Sequence, residues 1–346
     1  MKKVIFTAGL AGLALLMILF GGWGVLALVF SNAGKEAIHD TAAGSFGVLT
    51  IVAVTAFFVP LWRRPVWAAF ALSGAVLLAW WSSVLPSNDR DWQDDVSVLS
   101  DASVDGDLVT VHNIRNFDYR SETDFTPRYY DKTFDLTKLE GVDLVSVYWM
   151  GPAIAHVFVS FAFAGDQHLA VSIETRKEKG EQYSTLKGFF RQYELYYVVA
   201  DERDVIRLRT NYRRDPPEDV YVYRLRGDIV NGRQFFRQYM AKLNELEREP
   251  QFYNTLTTNC TTTIWANSRI NPEHPSLNWK ILASGYVPEF LYETDRLAND
   301  GLSFAALQEQ VHVNARAHLY NDAPDFSARI RAPVALGAMA PTNRIK

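Results

Sequence analysis

The sequence predicts an α+β protein in which three membrane-crossing helices precede a soluble domain built on an antiparallel sheet. Three observations carry that expectation. Uncharged runs cover Val4–Phe30, Thr41–Trp62 and Val66–Leu85, and each is long enough for a helix that crosses a bilayer, which needs about 20 apolar residues. Beyond position 107, short β-branched and aromatic segments recur, many of them alternating. An amphipathic helical stretch then follows the strands instead of interleaving with them, which favours α+β over a parallel α/β sheet.

Lys2 and Lys3 give the first run a plausible signal-peptide start. Its apolar stretch is longer than the roughly 7–15 residues of a signal-peptide core, and two more runs follow. Three spans are therefore expected over 1–85. Positive charge collects on cytoplasmic loops. Lys2–Lys3 and Arg63–Arg64 thus mark the inside, while the loop between the first two runs carries Lys35 beside Glu36 and Asp40. Three crossings leave everything after Leu85 outside, with Trp80–Trp81 near the outer interface. Residues 86–106, "PSNDRDWQDDVSVLSDASVDG", are acidic and serine-rich and read as a linker. The domain is expected to occupy 107–346. A net charge of −4 argues against a nucleic-acid partner.

Within the domain, "DLVTVHNI", "VDLVSVYWM", "IAHVFVSFAF", "HLAVSIETR", "YELYYVVA", "DVIRLRT" and "DVYVYRLR" read as strands. A helix is expected from about Asp228 to Glu249, because Ile229, Phe235, Phe236, Tyr239, Met240, Leu243 and Leu246 recur at helical spacing and Pro250 ends it.

The chain has one cysteine, in "TLTTNCTTTIW". Outside the cytoplasm an unpaired thiol is either reactive or a buried, inert filler. Asn259 is a good N-cap, so Cys260 is expected in the first turn of a helix, whose unpaired N–H groups favour a thiolate. The same N–H groups could hold an oxyanion. With one cysteine, no thiolate metal cluster is possible, and neither a metal nor a cofactor is expected.

Among the seven histidines, His156 alone interrupts an apolar strand, "IAHVFVSFAF". Such a residue is more often a satisfied core histidine than a catalyst, but the next strand shifts that weighting. Residues 154–163 and 168–176 flank the short turn "AGDQ" and should form a hairpin. Their apolar faces coincide only if odd residues pair with odd and even with even. The register centred on Gly165 then sets His156 opposite Glu174, a carboxylate able to orient an imidazole. Cys260, His156 and Glu174 would form a Cys–His–acid set. It resembles the papain-like arrangement in permuted order, as in NlpC/P60-type domains, with histidine preceding cysteine.

The segments "RNFDYRSETDFTPRYYDKTFDL", "AHVFVSFAF", "LAVSIETRKEKGEQYSTLKGFFRQYELYYVV", "DERDVIRLRTNYR" and "TTNCTTTIW" resemble the periplasmic domain of the Lnb-type lipoprotein N-acyltransferase family. That resemblance covers roughly 107–270. It implies a bacterial, inner-membrane, permuted papain-like thiol enzyme that transfers a fatty acyl chain from lipid to the N-terminal amine of a lipoprotein. It assigns the nucleophile to Cys260 and the base to His156; Glu174 matches a family position, its role resting on the hairpin. Here the spans precede the domain, whereas the name-giving members carry their membrane part after it. A phospholipid or lipoprotein is the expected acyl donor, and Arg115, Arg120, Arg176, Arg207 and Arg209 are candidate contacts to lipid phosphate, with solvated surface pairs as the plainer reading. A cell-wall peptide amidase or peptidase is the alternative enzyme. A membrane-tethered binding module without chemistry is the alternative from another class, and should keep its function after alkylation of Cys260.

Overall fold

A computed structural model describes residues 2–31 and 36–332. Lys35 and the end of the domain after 332 lie outside the described residues. The chain divides into two units: Met1–Arg90 with Glu181–Glu194 and Gln251–Thr255, and Asp91–Gly180 with Leu195–Pro250 and Leu256–Lys346.

The first unit holds α1 (Lys2–Phe30), α2 (Glu36–Thr55) and α3 (Pro60–Ser83). Gly9–Phe30, Ile38–Phe58 and Pro60–Ser83 are long and apolar enough to cross a membrane. These helices interlock through Met17, Phe46, Ala53, Phe70 and Leu77. Gly24 makes the close approach possible: a Cβ there would lie 2.5 Å from the Phe46 ring and 2.6 Å from Leu77. Small residues at such crossings let helix backbones meet.

The second unit is built on an eight-stranded sheet. Its strands are β1 (Asp101–Asp105), β2 (Leu108–Arg115), β5 (Tyr129–Asp135), β6 (Leu139–Tyr148), β7 (Ala155–Phe163), β8 (Gln167–Arg176), β9 (Glu194–Ala200) and β10 (Asp219–Arg224). The order is β1-β2-β9-β8-β7-β6-β10, and β5 pairs with β2. Two short strands, β3 (Asp118–Tyr119) and β4 (Phe125–Thr126), pair separately. The helices are α4 (Glu202–Arg207), α5 (Ile229–Arg248), α6 (Cys260–Ser268), α7 (Trp279–Leu282), α8 (Val287–Glu293), α9 (Phe304–Val311), α10 (Asn314–Leu319) and α11 (Phe326–Arg331).

Both faces of the central strands are covered. On one, Val145, Val147, Phe158 and Ala170 meet Ala317, Phe326 and Ile330 of the last two helices. On the other, Leu144, Val157 and Tyr223 meet Val287 and Leu307. The predicted amphipathic helix is α5, capped by the Asp228 side chain on Val230 N. Its Phe236 packs edge-on against Phe161 and Phe163.

Three expectations need correction. The sheet is mixed rather than antiparallel, because β2 and β9 run parallel at Arg115↔Ala200; β9 arrives after a long excursion, so no hairpin fixes its direction. The stretch 86–106 is more than a linker: Trp92 and Val96 are buried in the core, and 101–105 is the edge strand β1, paired with β2. "DVIRLRT" is helical, running through α4 into a π-helical turn at Leu208–Tyr212. Asp201 caps it at Arg203 N, with Glu202 and Asp204 in the first turn, where acidic groups favour a helix.

Candidate active site

The turn between β7 and β8 is centred on Gly165, in left-handed backbone at φ +77°, a conformation open to glycine at little cost. The ladder runs from Phe163↔Gln167 to Val159↔Val171. That is the odd-with-odd parity expected, and the same register continued along the strands sets His156 across from Glu174. The β6–β7 ladder continues to Ala155, whereas the β7–β8 ladder stops at Val159. β7 thus keeps one neighbour at its start and loses the other.

Cys260 lies at this opening. It is the first residue of α6, and Asn259 closes a capping box with Thr262. Asn259 Oδ1 accepts from Thr262 N at 2.9 Å, and Thr262 Oγ1 accepts from Asn259 N at 3.0 Å. Threonines are poor helix formers, and two of those here are held by specific bonds. Thr262 completes the cap, while Thr261 Oγ1 donates to Ile281 O at 2.7 Å and ties α6 to α7. The Cys260 thiol is half-buried. Burial pushes it above its ordinary pKa, and the backbone N–H groups of Val157 and Thr261 at the sulfur pull the other way without cancelling. The thiolate expected from the helix terminus alone is therefore not the resting state.

His156 Nε2 lies 2.7 Å from Ser172 Oγ, and Ser172 Oγ donates to Glu174 Oε1 at 2.8 Å. A hydroxyl has one proton, and Ser172 gives it to a carboxylate that only accepts. Its oxygen must therefore accept from His156, which places the imidazole proton on Nε2 and the lone pair on Nδ1. His156 Nε2 is 3.6 Å from Glu174 Oε1, so the carboxylate acts mainly through the serine. Arg209 Nη2 donates to the same Oε1 at 2.9 Å. Burial first, then Arg209, push the imidazole down to about 3, against the pull of Glu174. Burial works to raise Glu174, but Arg209, His156, Arg213 and Arg115 together hold it well below the usual carboxylate range. At rest the thiol and the imidazole are both neutral, and the imidazole is backed by a charged carboxylate–guanidinium pair.

Ser172 was missed as a site residue. Its signal was in the sequence: it shares the even face of the hairpin with His156 and Glu174.

The arginines are placed differently from the expectation. Arg209 is 4 % exposed and committed to Glu174 and Glu218. Arg115 is buried on Asp204, with two-pronged contact at 2.8–3.2 Å. Arg176 is buried against the Trp92 ring, 4.3 Å from its centroid, and donates to Val96 O. Arg207 is buried and donates to Asn321 O. Arg120 is exposed and paired with Asp124. Burial and internal pairing take four of the five out of reach of a lipid phosphate.

Asp143, His168 and Glu202 offer ligand-type atoms within 4.8 Å of one another. The Arg331 guanidinium sits among them, reaching Asp143 Oδ2 at 2.7 Å and Glu202 Oε2 at 2.8 Å. It supplies the positive charge there, and Arg224 joins from Asp143 Oδ1 at 2.5 Å. The cluster is an ion-pair network.

A cavity of about 290 Å³, apolar on its β7, α5 and α6 walls and charged elsewhere, lies between these elements. Val157 and Val159 of β7 line one wall, Thr261, Ile264 and Trp265 of α6 another, and Phe235 closes it from α5. Its walls include Thr261, next to Cys260, and Val157, which projects from β7 to the face opposite His156; Cys260 and His156 themselves are not among the lining residues.

In comparisons with known proteins, no curated protein and no solved structure matched the chain. One family model did, that of the Lnb N-terminal periplasmic domain, over residues 125–285, a span that contains His156, Ser172, Glu174 and Cys260. Residues 125–285 of this chain thus match the model of the family that its histidine strand and its Asn-Cys-Thr-Thr segment resemble.

Proposed function

We propose that the protein is a membrane-anchored thiol acyltransferase of the permuted papain-like kind, which carries a fatty acyl chain on Cys260 and delivers it to the N-terminal amine of a lipoprotein. The observation that carries this reading is the cavity whose apolar walls include Val157 and Thr261, the residues whose N–H groups reach the thiol. A fatty chain needs an apolar slot close to the nucleophile, and the cavity is lined by Thr261, the residue after Cys260, and by Val157, whose N–H reaches the sulfur. A peptidase would instead need polar backbone partners along an open groove.

In this reading His156 Nδ1 takes the Cys260 proton as Sγ attacks the ester carbonyl of a phospholipid or lipoprotein donor. Negative charge on the carbonyl oxygen faces the N–H groups of Val157 and Thr261. Collapse breaks the ester C–O bond, and the imidazolium returns its proton to the leaving alkoxide, leaving a thioester. The lipoprotein amine attacks that thioester, His156 Nδ1 takes the amine proton, and the proton passes to sulfur as the thiol leaves. Ser172 holds the imidazole in the productive tautomer throughout, and Glu174 favours the imidazolium when it forms. Lys2–Lys3 and Arg63–Arg64 set the spans with the N-terminus inside, which delivers the domain to the periplasmic face of the inner membrane. Both substrates reside there, so anchoring raises their effective concentration.

Intact-mass spectrometry of the full chain after incubation with membrane lipid tests the reading. A fatty acyl adduct on Cys260, released by a lipopeptide amine, is the expected result. A peptidyl adduct, or none, sinks it.

A further inference from the structure

The rim around the site carries an exposed apolar surface with no part in the chemistry just described. Residues 150–154, "MGPAI", connect β6 to β7, and all five are exposed. Met150 is 66 % exposed and Ile154 50 %. The stretch "LNWKIL" from Leu277 to Leu282 exposes Leu277, Trp279 (60 %) and Leu282 (51 %). The first stretch is locked to residues 284–285, which follow the second, and Tyr286 beside them packs on Trp279. Gly285 N donates to Ala153 O at 3.1 Å, Ala155 N donates to Ser284 Oγ at 2.9 Å, and Trp279 packs on Tyr286 with ring centroids 5.4 Å apart. Gly285 has no room for a side chain, since a Cβ would fall 2.0 Å from Pro152 O. The one charged side chain within the two stretches, Lys280, is turned aside onto Glu289 at 3.2 Å and Glu293 at 2.7 Å.

We propose that Met150, Ile154, Leu277, Trp279 and Leu282 form a membrane-docking face by which the second unit dips into the lipid interface beside its active site. A continuous apolar rim of this kind marks an interaction surface. A tryptophan among aliphatic side chains fits the lipid–water boundary, where amphipathic rings settle. The chain itself points to lipid as the occupant. Its first unit has three helices long and apolar enough to enter a bilayer, and residues 84–90 tether the second unit to the last of them by no more than about 30 Å of extended chain. His156 lies two residues beyond Ile154, and Cys260 is tied through Thr261 to Ile281, between Trp279 and Leu282. Insertion of the rim brings the thiol to the depth of lipid ester groups.

The test is spin-label depth measurement on the full chain in phosphatidylethanolamine–phosphatidylglycerol nanodiscs. Cys260→Ser removes the native thiol, and single cysteines are placed by Met150→Cys, Ile154→Cys, Leu282→Cys and, as a control on the exposed edge strand, Ser103→Cys. All four positions are exposed, so labelling leaves the core untouched. The proposal expects oxygen to relax the labels at 150, 154 and 282 several-fold more effectively than a water-soluble nickel chelate, with the opposite order at 103. Labels on both segments must show this. If either segment's labels match those at 103, the face does not contact lipid. Protection that arises only after a lipoprotein is added would assign it to a protein partner and overturn the proposal equally.

Discussion

Replacing Glu174 by glutamine keeps the shape of the relay and an acceptor for Ser172 but removes one charge. An imidazolium at His156 would sit 3.6 Å from Glu174 Oε1, and a pair at that separation is worth about 4–5 kcal/mol at an effective dielectric constant near 20. Most of that is already spent, because Arg209 donates to the same oxygen at 2.9 Å. A residual of about 1–2 kcal/mol is left for the imidazolium, which corresponds to a loss of roughly 5–30-fold in turnover. The pH profile distinguishes this from a structural defect. Glu174 raises the His156 pKa, so its loss lowers that pKa further, lowers the plateau rate and moves the acid limb to lower pH. Single-turnover acyl transfer to a lipopeptide, followed by mass spectrometry between about pH 2 and 9, measures both. The relay as drawn would be refuted by a variant within twofold of wild type, or by an acid limb that moves upward.

Cys260→Ser and His156→Ala should each abolish thioester formation, read as loss of the acyl adduct in intact mass; an adduct that survives either change removes that residue from the chemistry. Because burial raises the Cys260 thiol, its alkylation midpoint in the lipid-free protein should lie above the usual value of about 8.5, and a midpoint near neutrality would restore a resting thiolate. Ile264→Trp should shorten the preferred acyl chain while sparing transfer of short chains, scored with donors of graded length; unchanged preference would mean the cavity is not the acyl slot. Glu174 is held below its ordinary pKa of 4.5 in the fold. Its contribution to stability is therefore complete above that value and lost as pH falls toward the folded one. The melting temperature of wild type should drop more steeply than that of Glu174→Gln below about pH 4.5, and parallel curves would show that the depression is not there.

The histidine hairpin was legible because alternation fixes parity: Val157, Val159 and Phe161 on one strand and Leu169, Val171 and Ile173 on the next leave one way to align their apolar faces. α5 was legible for the same kind of reason, an apolar stripe at helical spacing with a Pro stop. "DVIRLRT" was not, because Glu202, Asp204, Val205, Ile206 and Arg207 are all buried and a segment buried all round shows no period. Nor was the fate of the arginines. Arg115 pairs with Asp204 and Arg209 with Glu174 across wide gaps in sequence, and a buried cation looks like a surface one until its partner is known. Ser172 was visible as a face and invisible as a role, since a serine between a histidine and a glutamate matters only once distances are known.

Arg331 of α11 bonds to Asp143 on β6, 188 positions earlier in the chain, and to Glu202, 129 positions earlier. Both carboxylates are almost wholly enclosed, and each is costly to enclose without its cation. During synthesis they emerge long before the arginine does. Asp143 meets Arg224 81 positions later, but at about 5–20 residues per second Glu202 waits on the order of 6–26 s for Arg331. Helix α4 can form while the Glu202 carboxylate remains hydrated, but the fold cannot close over that charge. The domain therefore completes its interior only once Arg331 has been delivered, so premature termination ahead of it would leave Glu202 enclosed without its cation or the centre unsealed.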